Sequence, residues 1–176
     1  MKRFILWVTS LVTLTACSSV SVIDYQNTPI QFDPERFFNN KLVAEGFVRD
    51  RKGKVTRYFT ADIIATWDKN GGKLDESFQW SDGEQQTRIW EFTKTADNRY
   101  SGTAGDVLGN ANMEHAGNAI RMQYQLDVPL ASGKTIAISM DDWLFQVSEN
   151  SIVNVTEMTK WGFKVGEVVL TMRVVE

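Results

Sequence analysis

His115 is the only histidine in the chain, so it is the one side chain that could act as an imidazole base near neutral pH. It lies in residues 105–118, a stretch without clear periodicity whose other polar side chains include Asp106, Asn110, Asn112 and Glu114. Such a stretch predicts either a loop over a binding site or a plain exposed loop. The sequence contains no nucleophile elbow or phosphate-binding glycine loop. We therefore assign no catalytic residue and predict that the protein is not an enzyme.

Asp141 and Asp142 are adjacent carboxylates inside a strongly strand-like run, residues 135–147. Since successive side chains of a strand point to opposite faces, one of the two must face the interior, where an unpaired charge is costly. One interpretation is a polar anchor for a ligand. The alternative is a structural ion pair, or a bulge that turns both carboxylates to water. The candidate partners of such a pair are Arg88, Arg121 and Lys160.

Tryptophan side chains recur along the strand-like runs and would suit the wall of an apolar pocket, although aromatic residues in strands often simply fill a core. These residues are Trp67, Trp80, Trp90, Trp143 and Trp161. We take as the candidate ligand-binding set Asp141, Asp142, Trp143, His115, Arg121 and Trp67.

The composition narrows the classes of partner. Lys and Arg total 19 against 22 Asp and Glu, a formal net charge of −3, and nothing in this balance favours nucleic acid. Cys17 is the only cysteine, so a disulfide or a thiolate metal site is not expected within the folded part. We predict no metal and no cofactor.

The first residues are typical of a secretory signal. Lys2 and Arg3 form a positive start, and residues 4–15 form an apolar core that is too short to span a membrane. Residues 14–17, Leu-Thr-Ala-Cys, resemble the bacterial lipobox, which implies cleavage before Cys17 and its acylation. An ordinary secreted protein is the alternative. Ser18, rather than an aspartate, follows the cysteine, which by the sorting rule of such lipoproteins favours the periplasmic face of the outer membrane. We predict a signal peptide over residues 1–16, a lipidated tether over 17–32 and one domain over 33–176.

The elements of that domain are read from the spacing of its apolar residues. Asp33 and Pro34 are suited to begin a short helix, and Phe37 and Phe38 within it could seal one end of a barrel. Beyond Leu42 apolar and polar residues alternate with period two in runs separated by turn sequences. We count about nine or ten strands with short connections.

A sheet of this size is expected to close, because closure removes exposed strand edges. The pattern therefore predicts an all-β protein: an antiparallel, up-and-down, calycin-like or lipocalin-like barrel. A β-sandwich is the alternative architecture. A transmembrane barrel also has alternating strands, but the sequence lacks the expected aromatic girdles.

Seven segments in order along the chain are similar to a family of bacterial lipoproteins, the domain-of-unknown-function family DUF3833. They are residues 32–38, 46–55, 74–78, 82–84, 100–109, 141–143 and 158–168. The resemblance covers nearly the whole chain. It implies no activity, because the family has no established biochemical function and no assigned active site.

Two hypotheses for function remain. In the first, the barrel binds a lipid or another small hydrophobic ligand in its cavity. In the second, side chains fill the barrel, and the protein is a structural scaffold in an envelope complex without a ligand. The acyl anchor makes the membrane the expected partner in both, and the sequence identifies no protein partner.

Overall fold

Ten antiparallel strands follow one another in the computed structural model, which describes residues 19–130 and 132–175. They are β1 (Lys41–Asp50), β2 (Val55–Asp68), β3 (Gly71–Trp80), β4 (Gln85–Ala96), β5 (Arg99–Thr103), β6 (Val107–Ala116), β7 (Ala119–Pro129), β8 (Thr135–Ser148), β9 (Ser151–Lys160) and β10 (Phe163–Val175). Each strand pairs with the next, and β10 pairs with β1, so the sheet closes into a barrel. The predicted up-and-down barrel is confirmed, and the alternative sandwich is not the architecture found.

The alternation along β2 illustrates how the sequence builds this wall. Phe59, Ala61, Ile63, Ala65 and Trp67 are buried, and the residues between them are exposed. Because alternate side chains of a strand point to opposite faces, the buried set faces the interior and the residues between them face water. The predicted inward face of β2 is confirmed except at its first residue, Val55, which is 47% exposed.

A short helix closes one end of the barrel, which we call the base. This helix, α1 (Pro34–Phe37), begins after Asp33, whose carboxylate accepts hydrogen bonds from the backbone amides of Glu35 and Arg36. Phe37 and Phe38 are 2% and 4% exposed and belong to the core cluster. The prediction that these two rings seal one end of the barrel is confirmed.

The residues before α1 contact the barrel as well. A 3-10 helix, Val22–Tyr25, packs beside β6 and β7, and Val22 and Phe32 are 6% and 5% exposed. The backbone amide of Phe32 donates to the carbonyl of Gly117. The described part of the segment that we predicted as a tether is therefore docked, because its apolar side chains gain from burial against the wall.

Residues 105–118 are not the irregular loop that the sequence predicted. Most of them form β6, which pairs with β5 and β7, and the register with β7 shifts between Leu108 and Asn112. Gly109 adopts a φ of +73° within this irregularity. The polar side chains at Asn110, Asn112 and Glu114 point outward, so they weaken the apolar pattern without breaking the strand.

The predicted signal peptide and Cys17 lie outside the described residues. Within the part of the chain that is described, no helix is long and apolar enough to span a membrane.

Candidate functional site

A cavity of about 580 Å³ occupies the barrel interior. It begins at Phe38 near the base and reaches the opposite end, the mouth, where the turns after β1, β3, β5, β7 and β9 lie. Glu84 and Pro129 line the mouth and are exposed, so the cavity opens to solvent there. Most of the wall is apolar and includes Phe59, Ile63, Leu74, Phe78, Met122, Leu144 and Leu170. The interior is thus not filled by side chains.

Two arginines line the cavity, Arg57 near the mouth and Arg88 deeper in the wall, and both are committed to ion pairs. Arg88 on β4 donates through Nε and Nη2 to both carboxylate oxygens of Asp106, over distances of 2.7–3.0 Å. This two-point geometry is the strongest arrangement available to a guanidinium and a carboxylate. The Arg88 side chain is 17% exposed, and its Nη1 lies 3.9 Å from Oε2 of Glu76, beyond hydrogen-bonding distance.

Two further carboxylates face the cavity without such a partner. Glu76 on β3 and Asp142 on β8 are only 7% and 6% exposed, and both line the cavity. Glu76 Oε2 and Asp142 Oδ1 have no hydrogen-bond donor among the described residues. A buried acceptor without a donor costs free energy, so these two oxygens are places where the wall could gain from a donor.

Burial changes the protonation of both groups. Loss of water raises the pKa of Glu76 to about 7, although the charge of Arg88 acts in the opposite direction. The same desolvation raises the pKa of Asp142 to about 6, against the lowering effect of the hydroxyls of Thr156 and Tyr124. Both carboxyls therefore change their protonation state near neutral pH, whereas exposed carboxyls do so at about pH 4.

Three of the sequence-predicted binding residues lie on the outer face of the barrel. Arg121 donates to both oxygens of Asp141 at 2.8 and 2.6 Å, and its guanidinium lies 5.0 Å from the ring centre of Trp143. Trp143 also contacts Tyr25 of the docked N-terminal segment. Strand alternation places Asp142 inward and its two neighbours outward, so Asp141, Trp143 and Arg121 do not line the cavity. For Asp141 the structure therefore shows the alternative interpretation, a structural ion pair.

His115 and Trp67 point inward but belong to the base. His115 packs edge-to-face on Phe32 and nearly parallel to Tyr100, with ring centres 5.4 and 6.2 Å apart, and burial lowers its pKa. Trp67 packs on Phe38. Neither lines the cavity, so of the six candidate residues only Asp142 does. His115 is part of a packed strand and not of a loop over the mouth.

The sequence analysis missed Glu76, and it named Arg88 only as a possible ion-pair partner. The signal was present in the alternation: Glu76 shares its inward position with Leu74 and Phe78 along β3. Glu76 and Arg88 are also directly opposite each other in the β3–β4 register. The feature that indicates the site in the sequence is therefore a charged residue at a position that strand alternation assigns to the interior.

No group of three or more potential metal-ligating side chains occurs within residues 19–130 and 132–175.

Comparisons with known proteins agree on the family and the fold. The model of a family described as a protein of unknown function, DUF3833, matches residues 11–174. No curated protein matches the sequence. Among solved structures, an S-type phycobiliprotein lyase from Guillardia theta is similar, with a TM-score of 0.55 and 7% sequence identity. The similarity covers 78% of this chain and 87% of that one, and at this identity it shows a shared fold alone.

Proposed function

This chain belongs to the DUF3833 family, and for this member we propose a lipoprotein that binds a lipid or another small hydrophobic molecule inside its barrel. In this proposal Cys17 carries the acyl anchor, and the barrel lies at the periplasmic face of the outer membrane. The protein binds its ligand and does not transform it.

The cavity is the observation that carries the proposal. Its volume of about 580 Å³ falls within the roughly 300–1,000 Å³ that is usual for small-molecule sites. Its wall is mainly apolar, and Trp80 and Trp90 contribute large aromatic surfaces to it. The competing scaffold hypothesis predicts an interior filled by side chains, so the cavity favours binding.

Exposed aromatic residues at the mouth support a position beside a bilayer. Trp161 and Phe163, at the turn between β9 and β10, are 85% and 76% exposed. The ammonium group of Lys160 lies 5.2 Å from the ring centre of Trp161. Aromatic rings next to a basic side chain are suited to the interface between lipid headgroups and acyl chains. A mouth facing the membrane would give a lipid a short path into the cavity.

Changing Cys17 to serine is expected to abolish acylation and to move the protein from the membrane fraction to the soluble fraction. The substitution removes the chain's only thiol, to which the lipid would be attached. It thereby removes the acyl methylene groups, each of which contributes about 0.8 kcal/mol to membrane binding. Labelling with a clickable fatty acid and fractionation of the cells measure both effects. Ser18→Ala is the matched control and should behave as the unchanged protein. Retained labelling in the serine variant would contradict the anchor.

Filling the cavity is expected to abolish ligand binding. In Met122→Trp, on β7, an indole occupies the space that the ligand needs, and the overpacking costs roughly 1–3 kcal/mol of stability. The unacylated chain of residues 17–176 is extracted with organic solvent for lipid mass spectrometry and is titrated with a fluorescent apolar probe. We expect a co-purifying lipid or saturable probe binding, and at least a tenfold weaker probe affinity in the variant.

Gln123→Trp is the matched control, since it adds the same side chain on the outer face of the same strand. It should bind the probe as the unchanged chain does. If the unchanged chain neither carries lipid nor binds the probe, or if both variants bind equally well, the proposed function is wrong.

A further inference from the structure

The charges inside the cavity do not balance. Of the two arginines in the wall, Arg88 lies opposite Glu76, and its hydrogen bonds are directed to Asp106. Among the described residues, no cation is therefore in hydrogen-bonding contact with Glu76 or Asp142. Each of the two presents an oxygen that lacks a donor, and each is more than nine-tenths buried. A site of this kind is completed by a group that donates hydrogen bonds and carries positive charge.

We propose that the cavity binds an amphiphile whose polar end is a protonated primary amine, held by the carboxylates of Glu76 and Asp142. This inference rests on the proposed ligand-binding function and names the class of ligand. The ammonium enters first and donates to Glu76 Oε2 and Asp142 Oδ1. Its alkyl chain then lies along the apolar wall towards the mouth, where Leu126, Val128 and Met158 continue the apolar surface.

A fatty acid fits the same cavity less well. Two arginines line the cavity, but the two-point pair with Asp106 already neutralises Arg88, and Arg57 is paired with two carboxylates beside the mouth. A carboxylate headgroup would also meet the negative charges of Glu76 and Asp142 at close range in a poorly solvated space. The electrostatics of the wall therefore select a cation over an anion.

The pH dependence of binding follows from the groups that surround the two carboxyls. Glu76 faces Arg88 on β4, Asp106 before β6 and Asp142 on β8, and Asp75 is its neighbour on β3. Asp142 is also close to Tyr124 on β7, Thr156 on β9 and Asp141 on its own strand. Since the pKa values of Glu76 and Asp142 are raised to about 7 and about 6, both carboxyls are ionised at pH 8 and largely protonated at pH 5. An amine should accordingly bind more tightly at pH 8 than at pH 5, and an uncharged alcohol should not.

The test compares three probes of equal chain length, decylamine, decanol and decanoate, by calorimetry with the unacylated chain of residues 17–176 at pH 8. We expect decylamine to bind at least about tenfold more tightly than decanol, because its ammonium group gains one or more charge-assisted hydrogen bonds. Decanoate should bind most weakly of the three. In Glu76→Gln with Asp142→Asn, the affinity for decylamine should fall to that for decanol, and the affinity for decanol should change by less than about threefold.

The control variant removes two carboxylates from the outer face, as Asp62→Asn with Glu91→Gln, and should leave all three affinities unchanged. Equal affinity for the three probes, a preference for decanoate, or an amine preference that survives in the Glu76 and Asp142 variant would overturn the ligand class and leave the proposed function intact. If none of the three probes binds, the proposed function fails and the ligand class fails with it.

Discussion

Replacing Arg88 with methionine is expected to lower the free energy of unfolding at pH 8 by roughly 3 kcal/mol. The change leaves Asp106 without its two-point partner and removes the positive charge that lowers the pKa of Glu76. Methionine retains most of the apolar stem, so the loss is mainly electrostatic. Urea unfolding followed by tryptophan fluorescence measures the effect.

The cost of this substitution should be smaller at pH 5. A carboxyl whose pKa is raised in the folded state stabilises the fold fully below its unfolded pKa, and this contribution is lost as the pH rises through the folded value. For Glu76 the two values are 4.5 and about 7, and for Asp142 they are 3.8 and about 6. At pH 5 both groups are largely uncharged in the barrel, so Arg88 has fewer charges to compensate. His115 affects stability in the opposite sense: because burial lowers its pKa, the fold loses stability as the pH falls below the ordinary pKa of histidine. Since His115 is present in both proteins, it does not change the difference between them.

Arg173→Met is the matched control. Arg173 lies 3.9 Å from Glu45 on the outer face, and both side chains are more than half exposed, so its loss should cost less than about 1 kcal/mol at either pH. If the Arg88 variant loses no more stability than the Arg173 variant, the interior of the barrel is better solvated than the structure indicates.

The sequence predicted the barrel because its strands are long and regular in their alternation. Phe59 to Trp67 on β2 and Ile120 to Leu126 on β7 reveal which face is buried without any tertiary information. The number of strands and their short turns then favoured closure. The register of β1 on β10 depends on contacts more than a hundred residues apart, which local patterns do not encode.

The N-terminal segment and β6 show where local patterns fail. Val22 and Phe32 belong to a segment whose apolar residues follow no regular period, and only tertiary contacts explain their burial. Val22 lies in the 3-10 helix that packs beside β6 and β7, and Phe32 packs on the rings of Phe37 and His115. The irregularity around Gly109 interrupts the alternation of β6, so His115 was predicted to lie in a loop. In both cases tertiary contacts determine the conformation.

The candidate site was predictable only in part. Strand alternation correctly required one carboxylate of the Asp141–Asp142 pair to face inward, and the neighbouring apolar residues Met140 and Leu144 identify it as Asp142. The same reasoning applied to β3 would have found Glu76. The pairing of Arg88 with Asp106 could not be found in this way, because Asp106 lies in the connection between β5 and β6, where alternation gives no direction.

Shortening Phe38 to alanine is expected to lower the free energy of unfolding by about 3–5 kcal/mol, the usual cost of removing a buried aromatic ring. Phe38 is 4% exposed, and its ring centre lies 5.3–5.6 Å from those of Phe32, Phe37 and Trp67. These rings form the base, and little else in the base can move into the space that the side chain leaves. Chemical denaturation measures the loss, and Phe163→Ala at the exposed turn between β9 and β10 is the control, with an expected change below about 0.5 kcal/mol.

The same substitution should lengthen the cavity, because Phe38 forms part of its inner wall as well as of the base. Removing the ring extends the apolar space at the end away from the mouth. An uncharged alcohol, which the two carboxylates do not hold, can insert its chain first into this space, so the chain length that binds most tightly should increase by roughly two or three methylene groups, each worth about 0.8 kcal/mol when buried. A series of alkyl alcohols of increasing length, titrated into both proteins, measures this shift. If the best chain length is unchanged although the full loss of stability is measured, the neighbouring side chains of the base have moved into the space left by the ring. Phe38 would then support the fold without limiting the length of the ligand.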